Sequence, residues 1–435
     1  MRILSFTAGA GEMLCGSCIR DNALARSLAG RGHDVRLVPL YQRSRTDETS
    51  VSEERVQFGG ISVYLQHAAP LFGALPGLDR VLDSPALLGL VERFSSSTDP
   101  TRLGPLTVTT LEGARGPARR AVEALAESIR DAGPDVVVLP NSLLLGLAAP
   151  LAAATGAPVV VTFSGEDLFL ARLPSGDRDR ALGLMREAAG AAHHFVGVTE
   201  HHARDMADTL GIPDERVSFV RLGVDPDGYP LNPKAPPAAG GAAGAREVTI
   251  GFFSRIAPEK GLDRLAGAAL QLAGQPEAPP LRVRAAGWMS PGGKGYLEEV
   301  RRLFAADGSA VSFEYLGELD HAGKIRFLRE ADVIGIPATF PEPKGIPAIE
   351  AMMAGTPVVV PQQGAYPALL DRTEGGVLAK SSAPADFAVA LSQLVLHPER
   401  RASVGERGFR RVREEHSLER MAEDAEAAFA RAIAA

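Results

Sequence analysis

Residues 136–163 read VVVLPNSLLLGLAAPLAAATGAPVVVTF and carry no charge. The run is long enough to cross a bilayer, but Pro140-Asn141-Ser142 and Thr155-Gly156-Ala157-Pro158 cut it into strand, helix and strand. A β-α-β unit inside a parallel sheet has the same lack of charge, because both faces of such a sheet are covered. The run therefore predicts buried strands and no integral membrane segment.

The same rhythm extends in both directions. Upstream strand candidates are Arg2–Thr7 and Asp34–Leu40, and the run itself supplies Val136–Leu139 and Pro158–Thr162. Phe195–Val198 and Val217–Leu222 follow. The second half offers Val248–Ser254, Leu281–Ala286, Ser312–Leu316, Val333–Ile336, Pro357–Val360 and Gly376–Leu378. Helical patterns such as Cys18–Gly30, Ala118–Ala132 and Glu200–Leu210 lie between them. Strands alternating with amphipathic helices predict an α/β fold of parallel sheets covered on both faces. Twelve strands are too many for one ordinary sheet, and 435 residues are too many for one core, so two domains are expected.

The boundary shows in composition. From Pro230 to Ala245 the chain is almost wholly Pro, Ala and Gly, with Lys234 its one charge before Arg246, so it reads as a linker. The expected organisation is a first domain over 1–229, a linker over 230–247, a second domain over 248–415 and a terminal helix over 416–435. The region from His67 to Pro105 has no clear period and reads as an insertion with undefined helices.

A net charge of −7 with interspersed signs argues against a nucleic-acid partner. No secretory leader is visible, and two cysteines cannot build a disulfide framework, so a cytoplasmic location is expected.

Chemistry concentrates in the segment Glu342-Pro-Lys-Gly345-Ile346-Pro-Ala-Ile-Glu350. If a helix opens near Ile346, its free N–H groups form an anion site, and Gly345 lets a phosphate reach the backbone. Glu350 then stands about one turn inside the helix, and Glu342 on the loop ahead. Gly251-Phe-Phe-Ser-Arg255-Ile-Ala-Pro-Glu-Lys260-Gly261 is the second such segment. It runs from strand through loop to helix, and Arg255 and Lys260 can flank a diphosphate or can simply be solvated surface charges.

In the first half, Ala8-Gly9-Ala10-Gly11 follows a strand and precedes a helix, a turn open to a phosphate or an acceptor. Cys15-Gly-Ser-Cys18-Ile-Arg20-Asp21-Asn22 continues it, as buried small residues, acceptor contacts or a redox or metal pair. Thr162-Phe-Ser164-Gly165-Glu166-Asp167 follows another strand; its carboxylates are candidates for an acceptor hydroxyl or for helix capping. The spacings Asp177/Asp179 (in a loop-like stretch) and Asp225/Asp227 (in a turn) are not read as metal sites. His193, His194, His201 and His202 read as ordinary packing and surface positions.

Taken together, these motifs resemble the retaining glycosyltransferases of family four, which have the GT-B fold. Arg255 and Lys260 match the family's basic pair, and Glu342 to Glu350 its E-x7-E signature. Asp332-Val-Ile-Gly-Ile-Pro337, Gly355-Thr-Pro357-Val and Arg221-Leu-Gly-Val-Asp225 match further landmarks, most strongly over 195–380.

The resemblance implies two Rossmann-like domains facing across a cleft, with the terminal helix crossing back to the first. It implies transfer of a hexosyl unit from a nucleoside-diphosphate sugar, UDP- or GDP-linked, to a small-molecule or glycan acceptor without metal or other cofactor. Arg255 and Lys260 would hold the diphosphate, Glu342 the transferring sugar and Glu350 the ribose. Gly11, Gly345 and Ile346 would lie at the donor, and Leu316 and Gly317 beside the base. Cys15, Cys18, Asp21, Asn22, Ser164, Glu166 and Asp167 would lie towards the acceptor. Ser164 stands where many relatives carry a histidine. A homodimer is compatible with the family. The competing readings are a sugar-nucleotide sensor without turnover and an epimerase on the same scaffold; a phosphorylase would want a pyridoxal-binding lysine, for which no motif is present.

Overall fold

The computed structural model describes residues 1–9, 16–43, 45–46, 48–54, 56, 100–234, 246–305 and 311–435. Gly11, Cys15, most of the 67–105 region and most of the linker lie outside the described residues. The contacts divide the chain into two units. One is Met1–Arg221 with Met421–Ala435, and the other is Leu222–Arg420.

The first unit holds β1 (Arg2–Thr7), β2 (Asp34–Pro39), β3 (Val136–Leu139), β4 (Val159–Phe163), β5 (His194–Gly197) and β6 (Val217–Phe219). They form one parallel sheet in the order β2-β1-β3-β4-β5-β6. β3 and β4 are buried along their whole length. Residues 136–163 are thus two central strands joined by a 3-10 turn and the helix Ala148–Thr155.

The helix Leu418–Ala434 supplies the first unit with Met421, Ala422, Ala425, Ala428, Phe429 and Ala432. They pack on Ile3, Val136, Val138, Val160 and Val196. Their spacing of three and four residues puts them on one face of the helix. Charges fix the same helix: Glu426 pairs with Arg31 at 2.7 Å and His33 at 2.8 Å, and Asp424 with Arg221 at 2.9 Å.

The second unit holds β7 (Val248–Phe253), β8 (Leu281–Ala286), β9 (Val311–Tyr315), β10 (Val333–Gly335), β11 (Val358–Pro361) and β12 (Gly376–Ala379). This sheet is also parallel, in the order β12-β11-β10-β7-β8-β9. The chain winds outward from β7 through β8 and β9, then returns to start again at β10. That reversal leaves a crevice outside the carboxyl ends of β7 and β10, the place where open α/β sheets bind ligands.

One expectation is corrected here. Asp177 and Asp179 do not lie in a loop-like stretch; they occupy the first turns of the helix Ser175–Ala188, where carboxylates suit the positive end of the dipole. The region after residue 67 also ends in a defined element, the helix Pro100–Glu112, which tolerates Pro105.

Candidate active site

The loops after β7 and β10 meet at the switch point. β7 ends at Phe253, a 3-10 turn spans Pro258–Lys260, and Gly261 opens the helix Leu262–Ala273 with φ +80°. A Cβ on Gly261 would lie 2.1 Å from the carbonyl oxygen of Pro337, so only glycine lets these segments approach. The Thr339 amide donates to the Glu259 carbonyl at 2.9 Å, tying the loops together. Gln363 braces the second loop, its Nε2 donating to the carbonyls of Ala338 at 2.8 Å and Phe340 at 2.9 Å.

This scaffold places Lys260 Nζ 2.7 Å from Glu342 Oε2 and 4.7 Å from the centre of the Phe340 ring. Arg255 stands on the first loop, half-buried, with its guanidinium 2.9 Å from Glu259 Oε1. Both cations are therefore held by carboxylates in this state, and a diphosphate would have to share or displace those partners.

Gly345 caps the helix Ile346–Met353 with φ +71°, and Pro347 lies in its first turn. The expected helix start is therefore present; the Ala348 and Ile349 amides already donate to the Gly345 carbonyl at 2.9 and 3.1 Å and Pro347 has no N–H, so the Ile346 amide is the first-turn donor without an intrahelical acceptor. Tyr366 packs beneath this turn, fully buried; burial and the nearby Glu342 charge push its phenol well above the usual range. At the end of the edge strand β9, the Leu316 amide donates to the Ala285 carbonyl at 2.9 Å, and the Gly317 carbonyl accepts from the Gly287 amide at 2.8 Å.

Glu350 differs most from what its motif suggests. It is buried in the 346–353 helix, and its Oε1 lies 2.7 Å from Nζ of Lys324. Lys324 comes from the helix His321–Glu330, and only 4% of its side chain is exposed. Reasoning from sequence missed this lysine. The available signal was a charge inside the apolar stripe formed by Ile325, Phe327 and Leu328, a position that is rarely charged without a partner.

In the first unit, a second polar group gathers at the carboxyl ends of β3 and β4. Arg20 is buried in the helix Gly16–Gly30; its Nε donates to Asp21 Oδ1 at 2.8 Å and its Nη2 to the Pro140 carbonyl at 3.0 Å. Nη1 of Arg20 donates to Ser164 Oγ, and Ser164 in turn donates to Pro140 at 3.0 Å. Asn22 braces the 49–51 segment, accepting from Val51 at 2.9 Å and donating to Thr49 at 3.0 Å. Cys18 is buried in the same helix.

Glu166 is no helix cap. Its carboxylate accepts from the amides of Ser142 at 2.8 Å and Ser164 at 2.6 Å, joining the loops after β3 and β4. Burial pushes this carboxyl up, but His202 and the two amides outweigh it and hold the group below its usual range. His202 Nε2 lies 2.9 Å from the Gly165 amide nitrogen and 3.8 Å from Glu166 Oε2, and Nδ1 faces exposed Asp167 at 3.6 Å. His202 thus belongs to this loop cluster, although its position in the sequence suggests only a helix-face histidine. No cluster able to hold a metal ion occurs among the described residues, and no described helix is long and apolar enough to cross a membrane.

Comparison with known proteins connects both halves to one activity class. The family "Glycosyltransferase Family 4" matches residues 22–227 and "Glycosyl transferases group 1" matches residues 241–411. D-inositol 3-phosphate glycosyltransferase 2 of Catenulispora acidiphila is 31% identical over 225 residues, 51% of this chain and 52% of that protein. D-inositol 3-phosphate glycosyltransferase of a Mycobacterium species is 28% identical over 240 residues, 55% of this chain and 51% of its own length. The matched stretch spans about half the length of these curated relatives.

Among solved structures, sucrose-phosphate synthase of Thermosynechococcus elongatus superposes with a TM-score of 0.69 at 16% identity, covering 100% of both chains. Anabaena HepE in complex with UDP superposes with a TM-score of 0.66 at 16% identity, over 99% of this chain and 100% of the other. At that identity the likeness shows a shared fold, GT-B.

Proposed function

The chain belongs to the glycosyltransferases of the family-four kind, and on that premise we propose that it moves a hexosyl unit from a nucleoside-diphosphate sugar to an acceptor hydroxyl with retained configuration. The observation that carries this reading is the apposition of Lys260 and Glu342 at the β7/β10 switch point, beside a glycine-capped helix start. An anion cradle next to a carboxylate fits a molecule that joins a diphosphate to a sugar.

In this reading the donor diphosphate lies against Lys260 and Arg255, whose charges stabilise the departing nucleotide. Fixed cations aimed at a developing anion contribute most when the site needs no rearrangement at the moment of reaction. Glu342 accepts from a hydroxyl of the transferring sugar, and the Gly345 and Ile346 amides face the donor. Glu350, charge-balanced by Lys324, accepts from the ribose hydroxyls, while Leu316 and Gly317 lie beside the base. UDP is the first nucleotide to test, since Anabaena HepE is a fold neighbour crystallised with it. D-inositol 3-phosphate is the first acceptor to test, given the names of the curated relatives. The acceptor side is assigned to the first unit, around Ser164, Glu166 and Asp167.

Calorimetry with UDP, GDP and ADP, followed by NMR of the product formed from the matching sugar donor, tests this directly. Binding of one nucleoside diphosphate and a product with the donor's anomeric configuration are expected. Binding with no turnover across an acceptor panel would replace the enzyme with a sensor.

A further inference from the structure

A second concentration of positive charge lies in the Leu222–Arg420 unit, outside the crevice at β7 and β10. The helix His321–Glu330 presents His321, Ala322, Ile325, Arg326 and Arg329 to a groove of about 480 Å³ that Gly228 closes from the other side. Arg326 and Arg329 stand three positions apart, so they are neighbours on one helix face. Arg326 is exposed and has no ion pair among the described residues. Nη1 of Arg329 is buried and has no hydrogen-bond partner among them. A native fold rarely keeps a buried guanidinium N–H without an acceptor.

The one carboxylate lining the groove, Glu330, is already engaged by Arg284 at 2.9 Å. Nearby, Arg246 approaches the buried Asp332 to 3.3 Å and Arg401 to 3.7 Å, Lys234 feels the same carboxylate, and Arg329 adds a like charge acting on Lys234. Burial first, then the like charges of Arg246, Arg401 and Arg329, pull the Lys234 ammonium below its usual range despite Asp332.

We propose that this groove is an anion site, taking the phosphate of a small phosphorylated molecule between Arg326 and Arg329 while its uncharged body lies along Ala322, Ile325 and Gly228. Two adjacent guanidinium forks suit a tetrahedral dianion better than a single carboxylate, because each fork can engage two oxygens. The groove is large enough for a phosphosugar, and its apolar floor gives such a body a surface to pack on. This site stands independently of the donor reading.

The test is titration of the full chain with inorganic phosphate at matched ionic strength, followed by calorimetry and by the shift in Tm. Arg326→Glu is the principal variant, because Arg326 is exposed and its replacement leaves the fold intact; Arg329→Gln is the second. Phosphate binding weakened about tenfold or more by Arg326→Glu, yet retained in Lys260→Ala, is expected for two charge-assisted contacts. Binding unchanged in Arg326→Glu, binding lost only in Lys260→Ala, or no binding to the parent chain overturns the site. The Lys260→Ala arm keeps failure here separate from failure of the donor assignment.

Discussion

Lys260 and Glu342 are 82 positions apart in sequence, yet their charged atoms lie 2.7 Å apart. Nothing local in either segment brings them together. They meet because β7 and β10 are neighbours in the sheet, so the loops leaving their carboxyl ends share one crevice. On the proposed reading, the ammonium serves the donor diphosphate and the carboxylate the transferring sugar.

Replacement of Lys260 by alanine is expected to lower turnover by on the order of a hundredfold or more and to weaken nucleoside-diphosphate binding. Steady-state kinetics with the preferred donor, with circular dichroism to confirm the fold, measure both. Unchanged kcat and KM would remove Lys260 from the donor site.

The Lys324–Glu350 pair has a separate signature. Both side chains are nearly inaccessible, at 4% and 6% exposure, so removing one charge strands the other. Lys324→Met should cost about 3–5 kcal/mol in urea unfolding. The double variant with Glu350→Gln should recover a large part of that loss. Additive losses across the double-mutant cycle would show that the two residues do not act as a pair.

Two glycines separate strain from function. Gly287 has φ +141°, and a Cβ there would lie 1.9 Å from the Ser254 carbonyl oxygen. Gly287→Ala should therefore destabilise by more than about 2 kcal/mol, with backbone movement at the β7 loop. At Gly345 the nearest atom to an added Cβ is Leu369 Cδ2 at 3.4 Å, an ordinary contact, so only the φ of +71° resists. Gly345→Ala should cost about 1–2 kcal/mol while weakening donor binding further than that loss of stability explains. Equal stability losses for the two variants would contradict the distinction.

The first unit carries a pH dependence of known sign. His194 Nε2 lies 2.6 Å from Ser218 Oγ, which also accepts from Arg431 at 3.0 Å. Burial first, then Arg431 and Arg216, pull the imidazole from 6.5 down to about 4. Above pH 6.5 neither the folded nor the unfolded chain protonates this ring, and its neutral form contributes fully. As pH falls from 6.5 towards 4 the unfolded chain takes up a proton that the folded chain refuses, so stability drops by up to about 3 kcal/mol. Urea midpoints at pH 7.5 and pH 5 read this, and His194→Asn should flatten the difference. A parent and a variant with parallel pH profiles would exclude His194 as its origin.

Much of the architecture was legible because apolar runs in this chain are bounded by Gly, Pro and charges. Arg2–Thr7, Val136–Leu139 and Leu281–Ala286 are strands at the residues expected, and the other strands shift by a few residues at their ends. The strand–loop–helix character around Lys260 and the helix start at Ile346 follow from the same punctuation. The partnerships were less legible. Lys324 opposite Glu350, and His202 against the loop that holds Glu166, depend on which helices neighbour which strands, information that no local pattern carries. Asp177 and Asp179 were misplaced because their arginine-rich surroundings hide a helix with few apolar positions.

The terminal helix docks on the first unit through partners as distant as Arg31 and Glu426, which are 395 positions apart. A ribosome must therefore finish every strand of the Leu222–Arg420 unit before the sheet begun at Arg2 can bury its outer face. During synthesis the unit started first is the one completed last, and until then Ile3, Val136 and Val160 offer nascent apolar surface to a chaperone.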